Sequence, residues 1–224
     1  MKILILNPNS SKEMTADIQR NAAAYANGAF EVKTLLTPGA PEFIDYYLDQ
    51  ALCAPGMIKN VYDNEAEYDA FIVACHCDPN IDLIKEITNK PVVGIGEASM
   101  KMASMLGHSF SVVSTGLHSV PNKEAVVRKY HLEGCLASVR APKSEGCCGS
   151  DEALFMEAAK LAIEEDMAEV IVLGCAGMSG LDKKMSKALG VPVLDGVVCA
   201  LIIAEGLVRA GLSTSKIRRY QGNR

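Results

Sequence analysis

Phe71-Ile72-Val73-Ala74-Cys75 and Ile171-Val172-Leu173-Gly174-Cys175 decide the fold. Each is a short apolar run ending in cysteine, the length of a buried strand. Pro91-Val92-Val93-Gly94 begins 16 residues after the first cysteine, and Pro192-Val193-Leu194-Asp195 begins 17 after the second. Upstream, each half has a strand opening into a loop of small polar residues. These loops are Asn7-Pro8-Asn9-Ser10 and Ser114-Thr115-Gly116. The repeated order implies two similar lobes, each a roughly four-stranded parallel sheet flanked by helices. Loops at the carboxyl ends of both sheets then face one shared cleft. Cys75 and Cys175 take matching positions, one on each wall.

Working outward, strands are predicted at 2–6, 31–35, 70–74, 92–95, 110–114, 136–141, 170–174 and 193–194. Helices are predicted at 10–27, 44–63, 81–88, 119–131, 151–167, 179–189, 196–210 and 213–220. Strands alternating with helices place the chain in the α/β class, with Rossmann-like lobes. Ser10 and Glu13 have capping-box spacing, Ser150 caps the helix at 151–167, and Pro55-Gly56 must kink or break the helix at 44–63. The first lobe is expected to comprise 1–97 plus 205–224, and the second 98–204. The apolar face of 197–208 is read as core or subunit contact, and a homo-oligomer is expected.

Composition narrows the partners. The 224 residues are 49% hydrophobic and 22% charged, ordinary globular usage that argues against disorder. A chain of this length buries about 70–75% of its unfolded surface and needs no staples. The net charge is −5, with 22 Lys+Arg against 27 Asp+Glu and no basic run. That argues against nucleic-acid and anionic-membrane partners. The run Ile3-Leu4-Ile5-Leu6 is too short for a signal peptide, and the apolar stretch 197–208 contains Glu205 and is too short for a membrane span. A cytoplasmic protein with a small-molecule substrate is expected.

Of eight cysteines, only Cys75-His76-Cys77 and Cys147-Cys148 are closely paired. The two pairs lie far apart in dissimilar contexts, so no metal site is expected. Most of the others read as small buried hydrophobes. Cys75 and Cys175 differ because each ends a strand and precedes a helix. A thiolate can remove an acidic C–H proton, and a thiol on the opposite face can return one. Free cysteine ionises at about pH 8.5, and backbone N–H groups at a strand–helix junction lower that value. Gly174 and Gly177 allow close backbone approach to a ligand. Taken singly, each cysteine is more simply a strand-end core residue. Two in matching positions favour chemistry.

The chain resembles the hydantoin racemase branch of the aspartate/glutamate/hydantoin racemase superfamily. The likeness runs nearly end to end. It is carried by 3–10, by Ala74-Cys75-His76-Cys77-Asp78-Pro79, by 92–98, by 110–115, and by Val172-Leu173-Gly174-Cys175-Ala176-Gly177-Met178 with 190–196. The resemblance implies a two-base racemase without a cofactor, with Cys75 and Cys175 as acid and base. It implies that Asn9 and Ser10, with Ser114 and Thr115, help hold the substrate. Ile44, next to Tyr46 and Tyr47, matches a segment lining the side-chain pocket. His76, Ala176 and Gly177, beside the two cysteines, are also expected at the substrate.

Amino-acid racemases of the superfamily carry Cys-Asn-Thr and Gly-Cys-Thr-Glu at these two sites. Here the text is Cys75-His76-Cys77-Asp78 and Gly174-Cys175-Ala176-Gly177. The hydroxyls and carboxylate that grip a zwitterion are absent, and neither segment contains Lys or Arg. That favours a neutral ring, a 5-substituted hydantoin or allantoin. The alternatives are an Asp/Glu-type racemase or epimerase, a non-catalytic binding protein with the same cleft, and a thiol-redox or metal-binding protein. An arylmalonate-type decarboxylase needs one cysteine, so the pair counts against it. Cys77 is expected to point away from Cys75, as alternate residues do on an extended segment. Asp78-Pro79 is expected to cap the helix that follows, and Cys147-Cys148 to lie in a loop.

Overall fold

The strands form because their residues suit no other environment. Ile3, Leu4, Ile5 and Leu6 are all fully buried, as are Phe71, Ile72 and Val73, and Val170, Ile171 and Val172. Strands buried on both faces are the mark of a parallel sheet covered by helices. The computed structural model describes residues 1–142 and 152–222. The element order is β1 (Lys2–Asn7), α1 (Lys12–Ala26), β2 (Glu31–Leu36), α2 (Tyr47–Asn64), β3 (Ala70–Val73), α3 (Ile81–Ile87), β4 (Val92–Gly94) and α4 (Ile95–Leu106). The second half repeats it as β5 (Phe110–Val113), α5 (Val120–Lys129), β6 (Leu136–Arg140), α6 (Glu152–Asp166), β7 (Val170–Leu173), α7 (Asp182–Leu189), β8 (Val193–Leu194) and α8 (Gly196–Arg209).

Two four-stranded sheets result, ordered β2-β1-β3-β4 and β6-β5-β7-β8. Every pairing is parallel. The two orders are the same once the second half is renumbered, so the repeat read in the sequence is a repeat of topology. In the first sheet, Leu4, Leu6, Phe71 and Val73 pack on Cys53, Met57 and Val61 of α2 and on Ile81 and Ile84 of α3. The opposite face, with Ile3, Ile5 and Ile72, packs on Ile18 and Ala22 of α1.

The last helix of each half crosses to the other. Met100 and Ala103 of α4 pack with Phe110, Val112, Val170 and Val172 of the second sheet. Val197, Ala200, Leu201 and Ala204 of α8 pack with the first-sheet face of Ile3, Ile5 and Ile72. The apolar face of 197–208 is therefore largely core. Where the two helices begin, Gly196 lies so close to Ile95 that a Cβ there would stand 3.0 Å from the Ile95 carbonyl oxygen.

Buried aspartates start both crossing helices. Asp195 accepts the Val197 N–H at 2.7 Å and the Gly180 N–H at 2.9 Å, and Asn21 of α1 donates to it at 2.7 Å. Asp78 accepts from the N–H groups of Gly96 (3.0 Å) and Glu97 (2.7 Å) and from the Tyr130 hydroxyl (2.7 Å). Asp78 thus caps α4 and not α3, the helix that follows it in sequence.

Three other local expectations differ from the structure. The N-cap of α1 is Ser11, whose hydroxyl accepts the Met14 N–H at 3.3 Å, because the Ser10 N–H is drawn to the Pro41 carbonyl at 3.0 Å. The helix expected at 179–189 begins at Asp182, after a 3-10 turn at Ala176–Met178. Residues 213–220 form no helix. Their polar side chains are spent elsewhere: Ser213 on the Asn89 carbonyl, Lys216 on Lys85 and Glu86 carbonyls, and Tyr220 on Asp82. Ser150 and Cys147-Cys148 lie outside the described residues.

Gly96 is held against the turn that follows β3. A Cβ there would collide with the His76 carbonyl oxygen and the Asp78 carboxylate. Gly96→Ala is expected to destabilise the protein by roughly 1–3 kcal/mol, measured by urea unfolding, with unchanged stability as the contrary result.

Candidate active site

The strand ends converge. The segments leaving β1, β3, β5 and β7 line one cavity of about 430 Å³, counted to its open mouth. Asn9, Ile44 and Cys75 line it from the first lobe, and Thr115, Cys175 and Ala176 from the second. Six of the ten residues singled out in the sequence therefore meet here. Met14, Phe43 and Asp45 join them and had not been singled out. Met14 faces inward from the first turn of α1, and Phe43 and Asp45 flank Ile44 in the segment before α2.

The remaining four sit around the cavity without lining it. Ser10 is half-buried in the β1–α1 segment. Ser114 is fully buried, its hydroxyl 2.5 Å from that of Ser119, which bonds in turn to the Gly116 carbonyl. It braces the loop after β5. Gly177 donates its N–H to Cys175 Sγ at 3.3 Å. His76 is 1% exposed, and neither ring nitrogen has a hydrogen-bond partner among the described residues. Burial, with the Lys123 charge nearby, holds its pKa well below the usual histidine range, so the ring is neutral.

Asn9 is oriented by its neighbours. Its Oδ1 accepts from Asn7 Nδ2 at 2.7 Å and from the Ser11 N–H at 3.0 Å. Its Nδ2 is turned to Met14 Sδ at 3.1 Å. The amide thus offers N–H, not oxygen, to a ligand. The mouth is bridged between lobes: Asn122 Nδ2 donates to the Asp45 carbonyl at 3.2 Å, and His118 Nε2 lies 3.8 Å from Asp45 Oδ1.

Cys77 does not point away. Residues 75–78 form a turn, not an extended strand, with the Asp78 N–H on the Cys75 carbonyl at 2.9 Å and Asp78 at φ 45°. The alternation rule therefore does not apply, and Cys77 folds back beside Cys75, close enough for the two thiols to influence each other. Lys123 arrives from α5 of the other lobe. It is 5% exposed, and its Nζ lies 3.5 Å from Cys77 Sγ. The neighbouring Cys75 thiol and the Lys123 ammonium together lower the Cys77 pKa to about 5, against the opposing effect of burial. The neighbouring Cys77 and burial raise Cys75 well above the ordinary thiol value. Burial opposes the Lys123 charge, but the neighbouring Cys77, Cys75 and Cys175 outweigh it, and its pKa is raised.

Among the described residues, no three His, Cys, Asp or Glu side chains gather as a metal site, and no helix is long and apolar enough to cross a membrane. What the cavity offers is thiols on both sides of a small, mostly apolar space with amide N–H at its edge. That arrangement suits proton transfer at carbon.

Residues 3–204 match the Asp/Glu/Hydantoin racemase family. The chain is 38% identical to the hydantoin racemase of Paenarthrobacter aurescens over 228 residues, covering 99% of this chain and 97% of that one. The crystal structure of allantoin racemase from Pseudomonas fluorescens superposes with a TM-score of 0.93 at 40% identity, covering 100% of this chain and 97% of that one. Allantoin racemase from Klebsiella pneumoniae gives 0.94 at 31%, covering 100% and 94%.

If Lys123 supports the Cys77 anion, Lys123→Met should slow iodoacetamide labelling of Cys77 at about pH 6 by roughly ten-fold or more. Peptide mass mapping reads this out, and an unchanged rate would separate Cys77 ionisation from Lys123.

Proposed function

The chain belongs to the Asp/Glu/hydantoin racemase family, and from that membership we propose that it racemises a 5-substituted hydantoin or allantoin without a cofactor, using Cys75 and Cys175 as paired acid and base. The observation that carries this reading is that the two thiols, one from each lobe, line a single cavity.

The mechanism follows from carbon-acid chemistry. The ring C–H lies beside a carbonyl, so removing its proton spreads charge onto oxygen as an enolate. One cysteine takes the proton as thiolate, and the other, as thiol, returns one to the opposite face. Inversion results with no net redox change. The Asn9 amide N–H is suited to hydrogen-bond a ring carbonyl as negative charge develops there. Met14, Phe43 and Ile44 keep that part of the wall apolar, which strengthens such a bond.

Substrate charge follows from what the walls lack. Ala176 and Gly177 stand where amino-acid racemases place Thr and Glu. Lys123, a buried cation near the cysteines, is turned to Cys77 and does not line the cavity. A neutral ring fits this set better than a zwitterion. The hydantoin and allantoin racemases that the chain resembles support the same choice. The exposed Tyr46, Tyr47, Leu48 and Leu52 of the α2 region are in keeping with a homo-oligomer.

Cys75→Ser and Cys175→Ser should each lower racemisation by roughly 10²–10⁴-fold, because a serine hydroxyl is a poor base near neutrality. Polarimetry on L- and D-hydantoins, allantoin, Asp and Glu reads out both rate and preference. Near-normal racemisation by either variant would refute the paired assignment. A preference for free amino acids would refute the ring assignment.

A further inference from the structure

The buried Lys123 raises a question that the racemase reading does not answer. An ammonium in the interior needs an anion. Among the described residues no carboxylate pairs with it; its polar contact is the Cys77 sulfur at 3.5 Å. Cys77 is in turn held beside Cys75 by the tight turn of residues 75–78. The structure therefore places an ammonium and two sulfurs in series, the last of them at the cavity.

We propose that the buried Lys123 and the half-buried Cys77 form an ammonium–thiolate pair that holds Cys75 in its thiol form, so that in the resting enzyme Cys175 is the base and Cys75 the acid. This rests on the paired-cysteine reading above and deepens it. The Lys123 ammonium faces the Cys77 sulfur, so the thiolate forms there first and Cys75, its neighbour across the tight turn, keeps its proton. Two adjacent sulfurs beside one cation do not both ionise readily, as two carboxylates sharing a site do not. The Gly177 N–H donates to the Cys175 sulfur at 3.3 Å, which favours the thiolate. The shifts of Cys77 and Cys75 in opposite directions agree with this order.

The other charged groups nearby do not overturn it. Asp45, from the segment before α2, opposes the Cys77 anion, but more weakly than Lys123 favours it. His76 is neutral. Asp78 is pushed up to about 7 by burial and is taken up by Gly96, Glu97 and Tyr130. Lys129, on α5, pairs with Asp82 at 2.9 Å. Cys175 faces Lys123 from the second lobe and adds to the negative charge that it balances. Cys77 and Lys123 are positioning residues; neither is required to touch the substrate.

One consequence concerns the return of the enzyme to its starting form. When Cys175 has taken a proton and Cys75 has given one, Cys75 is an anion beside the Cys77 anion. That state relaxes when solvent protonates Cys75 and Cys175 loses its proton.

The test isolates Cys75. In a Cys175→Ser background, the pH dependence of iodoacetamide labelling at Cys75 is measured by peptide mapping, with and without Cys77→Ser. Removing the neighbouring anion should move the Cys75 midpoint down by about one pH unit or more. Cys77→Ala should move it in the same direction, which guards against a fault of one variant. In a Cys75→Ser background, changing Cys77 leaves Lys123 with only Cys175 to balance it, so the Cys175 midpoint should move less than that of Cys75. Midpoints for Cys75 that do not move would overturn the proposal. The same variants are assayed for exchange of the ring α-proton with deuterium. Exchange that tracks Cys75 ionisation supports both readings. A labelling shift with no exchange in either background keeps the ion pair but removes the racemase assignment. Exchange with an unmoved midpoint removes the ion pair and keeps the racemase.

Discussion

The structure hangs on the close contact of Gly196 with Ile95, the first residues of α8 and α4. Each helix leaves the last strand of one sheet and packs on the other, so the two lobes are held by exchanged helices and not by a linker. Each helix also starts on a buried aspartate that binds the opposite lobe, Asp78 through Tyr130 and Asp195 through Asn21. A capping interaction of this kind is worth about 1 kcal/mol, but its larger effect here is geometric. It fixes the carboxyl ends of two parallel sheets face to face, which brings Cys75 and Cys175 to one cavity.

Within that frame, the first cysteine is the more elaborate of the two. The tight turn of residues 75–78 returns Cys77 to Cys75, and α5 of the opposite lobe delivers a cation to Cys77. The second cysteine accepts the Gly177 N–H. Sheet repetition thus gives a symmetric pair of positions, and the local turns make them chemically unequal. The paired-cysteine racemisation proposed above would benefit from such inequality, because it needs one thiol and one thiolate together.

Much of this was legible in the sequence because buried parallel strands leave plain apolar runs. The eight strands, their grouping into two lobes and the matching cysteines all followed from such runs and their spacing. Asn9, Ile44, Thr115 and Ala176 were reached through family resemblance, and all line the cavity. What escaped was tertiary. Cys77 was read with a rule for extended backbone, and the turn at 75–78 breaks that rule. Lys123, between Asn122 and Glu124, was not singled out in the sequence. Yet it lies three and four residues before the buried Val126 and Val127, on the apolar stripe of α5, and a lysine on that stripe was the available signal. Asp78 reached past α3 to α4, and residues 213–220 gave up a helix for contacts with α3 and the segment after it, neither of which sequence spacing reveals.

The central claim is that two different groups act on opposite faces of one carbon. It is tested most directly in wild-type protein by running a single hydantoin enantiomer in deuterium oxide and stopping at low conversion. Mass analysis of the separated enantiomers should find deuterium in the product and protium in the remaining substrate, because the base that removes the proton is not the acid that replaces it. Equal deuterium in both enantiomers, formed as fast as the product, would mean that one group serves both faces and would contradict the account.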